Sequence, residues 1–175
     1  MSCDNIPHNG VVARNAVAGV ARLSDPALAD WIEANVAFPN AMVDRIVPAT
    51  TPDDRSRISA ALGLEDAWPV VTERYTQWVV EDDFPNGRPD WAATFVRDVA
   101  PFELMKLRLL NGAHSSLAYL GYLAGHETVA DAMADPTLAD FVNRLMVDEV
   151  SPTLKVPPGA DIPSYRVALV QRFRN

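Results

Sequence analysis

Apolar residues in the stretch VVARNAVAGVARL recur at helical spacing after the Asn9-Gly10 turn signal, and Asp25 and Pro26 then read as N-cap and first residue of a second helix through Trp31 to Ala34. Phe38 to Val47 reads as a loop and a short strand. Thr51, Pro52, Asp53 and Asp54 begin a helix that runs toward Leu62 and stops at Gly63. Trp68 to Val80, rich in Val, Thr, Tyr and Trp, predicts a strand on a buried sheet, and DDFPNGRPDW a turn-rich surface loop. Beyond Pro101 the pattern turns wholly helical. A long helix is expected from Pro101 to about Ala124, stopped by Gly125. Shorter ones follow near Thr128 to Met133, from Asp135-Pro136 to about Glu149, and from Ser164 onward. The pattern therefore predicts a mixed α/β part over residues 1–100 and an all-α part over 101–175. No internal repeat or low-complexity segment interrupts either.

The long helix carries a puzzle. Phe102, Leu104, Met105, Leu109, Leu117, Tyr119 and Leu120 leave it apolar nearly all round, which predicts packing on several sides. Yet KLRLLNGAH, from Lys106 to His114, places three polar groups among the leucines. On a regular helix turning about 100° per residue, Asn111 lies roughly 140° and His114 roughly 80° around the axis from Lys106. A lysine on such a face is either a stem that snorkels to water or a desolvated amine. In the second case its pKa falls toward the range where it accepts a proton near neutral pH. Glu103, one turn earlier, is placed to pair with Lys106 or to conduct a proton to solvent. Asn111 offers two amide donors for a developing alkoxide and His114 a group that binds hydroxyls. The plainer alternative for each is a satisfied core polar group.

Composition removes several function classes. The chain is ordinary in its 49% hydrophobic and 22% charged residues, but a net charge of −8 and a pI near 4.7 disfavour a nucleic-acid partner, whose phosphates are held by Lys and Arg. No apolar run is long enough for a bilayer and no signal-peptide pattern opens the chain, so a cytoplasmic protein with no membrane partner is expected. Cys3 is the single cysteine, which excludes an internal disulfide. Three histidines, with His8 and His126 in expected surface loops, give neither HExxH nor a Cys/His cluster, so no metal site is expected. Ser115 and Ser116 beside His114 do not make a triad, and no GxSxG is present. The eight glycines contain no GxGxxG dinucleotide fingerprint. Both ends of the chain have the look of cuts within a longer protein, so a fragment is expected.

SCDNIPHNG, FPNAMVDRIVP and QWVVEDDF, followed by Lys106, Asn111 and His114 in the pattern K-x4-N-x2-H, together resemble the long-chain polyol dehydrogenases, the mannitol 2-dehydrogenase and fructuronate reductase family. The resemblance runs through the whole chain. It implies the C-terminal part of a Rossmann-type NAD-binding domain over 1–100, then the N-terminal part of an α-helical substrate domain over 101–175, with the glycine fingerprint upstream of Met1. It implies NAD, or NADP, as cofactor, a small polyol or sugar acid as substrate, no metal, and a monomeric parent. By resemblance Lys106 is the general base, Asn5 and Asn111 hold the reacting oxygen, His114 orients the substrate, Asp44 belongs to the substrate pocket, and Glu103 serves proton access. One departure is local: ERYTQW lacks the proline that the family pattern carries after the glutamate, which leaves the strand geometry near Glu73 open. The activity implied is oxidation of a sugar alcohol, D-mannitol to D-fructose or a close analogue. Fructuronate reductase is the alternative within the family, and a non-catalytic helical binding module the alternative outside it.

Overall fold

The computed structural model describes residues 1–174, and the chain divides into two compact units, Met1–Arg97 and Asp98–Asn175. In the first, α1 (Asn9–Ser24) and α2 (Pro26–Asn35) form an antiparallel pair. Asp25 ends the one and caps the other, its carboxylate accepting from the backbone N–H groups of Ala27 and Leu28 at 3.0 and 3.1 Å. Pro26 costs nothing at the first position, where the N–H it lacks would have no partner in the helix. Arg22 ties the pair together from outside by bonding both Asp30 and Glu33.

Beside these helices lies a three-stranded sheet ordered β1 (Ala41–Asp44), β2 (Gln77–Glu81), β3 (Thr94–Val96), with β1 antiparallel and β3 parallel to the central β2. Ala41 faces Val80 and Asp44 faces Gln77 in the first ladder, and Val80 faces Phe95 in the second. Ala18, Ala29, Ala41, Met42, Val79 and Val80 are buried. α3 (Pro52–Leu62) is capped by a reciprocal Thr51–Asp54 pair but buries none of its residues.

Of the predicted Trp68–Val80 strand only the end from Gln77 is a strand, which runs on to Glu81. A strand needs hydrogen-bonding neighbours, and β1 and β3 flank only those residues. Trp68 and Val70, 80% and 61% exposed, have the residue type of a strand without a sheet to lie on. Around Glu73, whose neighbourhood departs from the family pattern, the pairing continues past Asp44 by other means. Glu73 donates its N–H to the Ile46 carbonyl, accepts the Ile46 N–H on its carboxylate and the Arg45 Nε on its own carbonyl. β3 lies where the sequence predicts no strand.

The second unit is helical. α4 (Ala100–Met105), a π-helical turn (Lys106–Asn111) and α5 (Gly112–Leu123) form one rod, followed by α6 (Val129–Ala134) and α7 (Pro136–Arg144). A second π-turn (Leu145–Val150), a 3₁₀ turn (Ser151–Thr153) and α8 (Ile162–Phe173) complete it. Its core contains Phe102, Met105, Leu109, Leu117, Met146 and Leu169. Gly121 is required where α5 crosses α6, because a Cβ there would lie 2.8 Å from that of Ala132. The rod is not packed all round as its composition suggests. Tyr119, Tyr122 and Leu123 are exposed, and the buried stripe runs through Phe102, Met105, Leu109, Ala113, Leu117 and Gly121. His126, expected on the surface, is half-buried and bonds Asp135, the N-cap of α7, at 3.3 Å. Among the described residues no helix is long and apolar enough to cross a membrane.

Candidate active site

Four of the predicted site residues lie on one rod. Glu103 belongs to α4, Lys106 and Asn111 are the first and last residues of the π-turn, and His114 is in the first turn of α5. The π-turn changes their relation to one another. The backbone N–H of Gly112 bonds the carbonyl of Leu107, five residues back, so the turn holds one residue more than an α-helical turn would. That extra residue takes out about 100° of rotation. Asn111 then lies about 40° from Lys106 rather than about 140°, and His114 about 20° to the other side. With Glu103 about 60° from Lys106, all four fall within an arc of roughly 80°.

The packing of the rod explains the wider turn. The buried stripe advances by four residues at a time from Met105 to Gly121. A regular α-helix would rotate such a stripe by about 160° over those sixteen residues, carrying half of it away from the core. One π-turn leaves about 60°. Leu109, Leu110 and Ala113 stay buried while the opposite side of the turn faces outward, with Leu107 and Arg108 exposed and Arg108 bonding the Thr153 carbonyl and hydroxyl. Glu103, Lys106 and Asn111 are half-buried between these two sides. His114 is exposed, its ring centroid 6.2 Å from that of Phe173 on α8.

Asn5 and Asp44 belong to the first unit. Asn5 is exposed on the loop before α1, and its N–H donates to the carboxylate of Asp4 at 2.8 Å. Asp44 ends β1 and is fully buried. Among the described residues no cluster of metal-ligating side chains occurs. A cleft of about 470 Å³ between α7 and α8, lined by Asn143, Val147, Arg166 and Val170 among others, contains none of the six predicted residues.

Sequence reasoning missed the residues that tie α1 to the sheet. Asn9, which the sequence reads as part of a turn, is the first residue of α1 and is 1% exposed. Its amide Nδ2 donates to the carbonyls of Asp4 and Ala41, and its Oδ1 accepts the Ala41 N–H. Asn40 accepts the N–H groups of Gly10 and Val11, and Asn40 is in turn held by Glu81 through its own N–H and amide. Gly10 was the available signal: a glycine opening a helix marks a close backbone approach. A Cβ there would stand 2.3 Å from the Phe38 carbonyl oxygen.

Residues 1–93 match the model of the mannitol dehydrogenase Rossmann domain, and residues 98–175 match that of the mannitol dehydrogenase C-terminal domain. The chain belongs to the mannitol dehydrogenase family. It is 53% identical to the D-mannonate oxidoreductase of Escherichia coli strain K12 and 47% identical to the mannitol 2-dehydrogenase of Aspergillus terreus, over its full length in both cases. Two solved structures are similar over the whole chain: a substrate-free D-sorbitol dehydrogenase, with TM-score 0.91 and 44% identity, and the Pseudomonas fluorescens mannitol 2-dehydrogenase in ternary complex with NAD and D-mannitol, with TM-score 0.82 and 48% identity. This chain spans 36–37% of the length of these proteins. The fold class is thus part of a Rossmann-type domain followed by part of a helical C-terminal domain.

Proposed function

We propose that these 175 residues belong to a longer, metal-independent NAD-dependent dehydrogenase that oxidises a secondary hydroxyl of a sugar alcohol, D-mannitol to D-fructose or a close analogue. The observation that carries the reading is the single arc formed by Glu103, Lys106, Asn111 and His114 across the π-turn. A lysine, an amide and an imidazole on one face of the rod are the groups needed to take a proton from a hydroxyl, donate to the oxygen left behind, and hold the neighbouring hydroxyls. The likeness to the NAD- and mannitol-bound enzyme supports it.

In this reading Lys106 accepts the hydroxyl proton on Nζ, and the electrons of the O–H bond become the second bond of the new carbonyl. Asn111 and Asn5 donate amide N–H bonds to the reacting oxygen as negative charge grows on it. His114 binds a neighbouring hydroxyl, Asp44 contributes to the substrate pocket, and Glu103 passes the proton onward from Lys106. NAD, when bound, takes up the hydride that leaves the same carbon. The donor set here fits the hydroxyl side of that reaction. The glycine turn that cradles a dinucleotide is not in this sequence, so residues for the pyrophosphate are assigned to the remainder of the enzyme. We further propose a cytoplasmic, monomeric parent, and a domain boundary near residue 100.

Fructuronate reductase is the second reading, favoured by the 53% identity to a D-mannonate oxidoreductase. Steady-state rates of the full-length enzyme with NAD on mannitol, arabinitol and mannonate decide between them. Fastest turnover of mannitol is expected. Turnover of mannonate alone would replace the first reading by the second, and no turnover of any of the three would sink both.

A further inference from the structure

We infer that Asn9 is a positioning residue that fixes the Asp4–Asn5 peptide and thereby the side chain of Asn5. The inference rests on the role proposed for Asn5 above. The peptide unit leading into Asn5 is held at both ends: its carbonyl oxygen accepts from Asn9 Nδ2 at 3.0 Å, and its N–H donates to Asp4 Oδ1 at 2.8 Å. The other proton of Asn9 Nδ2 goes to the Ala41 carbonyl at 2.7 Å, and Asn9 Oδ1 accepts the Ala41 N–H at 2.9 Å.

One buried amide therefore joins the loop of Asn5 to the first residue of β1, the strand that ends at Asp44. Both donors of the amide are used. Its orientation is fixed, because a flip would set the carbonyl oxygen against two other carbonyls and the NH2 against the Ala41 N–H. The backbone on either side of the anchor is closely constrained. His8, just before it, takes a left-handed conformation with φ 53°, and Gly10, just after, leaves no room for a side chain.

The tie is stronger than helix capping requires. Asn40 already satisfies the N–H groups of Gly10 and Val11 at 2.9 and 3.3 Å, whereas Asn9 spends its amide on backbone groups outside α1. Its product is a loop of defined position rather than a longer-lived helix.

A double-mutant cycle in the full-length dehydrogenase tests this. Asn9→Ala is expected to lower kcat for polyol oxidation about 10²-fold, the scale of loss for a group displaced by about 1 Å. In an Asn5→Ala background the same change should cost no more than about twofold, since the group it positions is gone. Losses that multiply would overturn the inference and make Asn9 a structural residue. An Asn5→Ala enzyme with wild-type kcat would instead sink the assignment of Asn5 itself. Should Asn9→Ala not fold, Asp4→Ala releases the other end of the same peptide from an exposed position. It should lower kcat about tenfold in the wild type and not in the Asn5→Ala background. Equal loss in both backgrounds counts against the inference. Asn40→Ala is the control: it uncaps α1 without touching the loop, and should lower the unfolding temperature while changing kcat no more than about twofold.

Discussion

Replacing Gly10 by alanine puts one methyl group into the contact between α1 and the loop that leads into β1. The new Cβ would lie 2.3 Å from the Phe38 oxygen, 2.6 Å from the Pro39 oxygen and 2.7 Å from the Pro39 carbonyl carbon, all backbone atoms. Ordinary contact needs roughly 1 Å more. The carbonyls cannot yield freely, because Asn40 beside them is bonded to Gly10, Val11 and Glu81. The helix start must move instead, which stretches the Asn9–Ala41 pair from 2.7 and 2.9 Å beyond hydrogen-bonding range. Two buried hydrogen bonds at about 1 kcal/mol each, with about 1–3 kcal/mol for overpacking, give a loss of roughly 3–5 kcal/mol. Gly19→Ala is the matched control on the same helix, with nothing within 4 Å of its added Cβ. It should stabilise by about 0.5–1 kcal/mol through helix propensity. The assay is urea unfolding followed by tryptophan fluorescence, which reports on the first unit because Trp31, Trp68, Trp78 and Trp91 all lie there. If Gly10→Ala unfolds within about 0.5 kcal/mol of the wild type, the surface-substitution range, the close approach and the Asn9 anchor argued from it are wrong.

Three further outcomes are expected. The 175-residue chain alone should bind NAD weakly or not at all by isothermal titration, since no glycine fingerprint is present; tight binding would relocate the cofactor site into these residues. In the full-length enzyme Asn111→Ala should lower kcat by roughly 10²- to 10³-fold, the loss of one oxyanion donor, with a smaller change in KM; equal loss in both would reduce Asn111 to an ordinary polar contact. Asp54 is held down to about 2 from its usual 3.8, first by the Arg57 guanidinium and then by Thr51. A depressed carboxyl stabilises the fold above its unfolded value, so α3 should lose this support as pH falls from about 4 to about 2. Melting curves across that range should show a steeper loss for wild type than for Asp54→Asn, and parallel curves would refute it.

The helices were legible because their ends are chemically marked. Asp25-Pro26, Thr51-Pro52 and Asp135-Pro136 each set a capping side chain before a proline at the first helical position, and each starts a helix where the sequence places it. The sheet was harder. Nothing local distinguishes Trp68 or Val70 from Val79 and Val80, since only the arrival of β1 and β3 makes a strand of the latter pair. β3 is three residues long and follows a turn-rich loop, too short for alternation to show. The π-turn left no mark either, because KLRLLN contains neither proline nor glycine. Its origin is the four-residue spacing of the buried stripe, visible only when the core is known. Ideal α-helical geometry therefore spread Lys106, Asn111 and His114 over about 140° where the wider turn gathers them. Asn111 and His114 stand out as polar groups among the leucines of the long helix, whereas Asn5 and Asp44 came from the family resemblance alone.

The central claim is that Lys106 is the base that takes the hydroxyl proton, and the pH dependence of kcat/KM for polyol oxidation by the full-length enzyme measures it most directly. The rate should rise with pH through a single ionisation, and Lys106→Ala should remove that ionisation while lowering the rate by on the order of 10²- to 10⁴-fold in a protein that still folds. A small external amine should restore part of the loss. A folded Lys106→Ala enzyme that keeps both its rate and its pH profile would show that Lys106 is a structural residue, and the catalytic arrangement built around it would not stand.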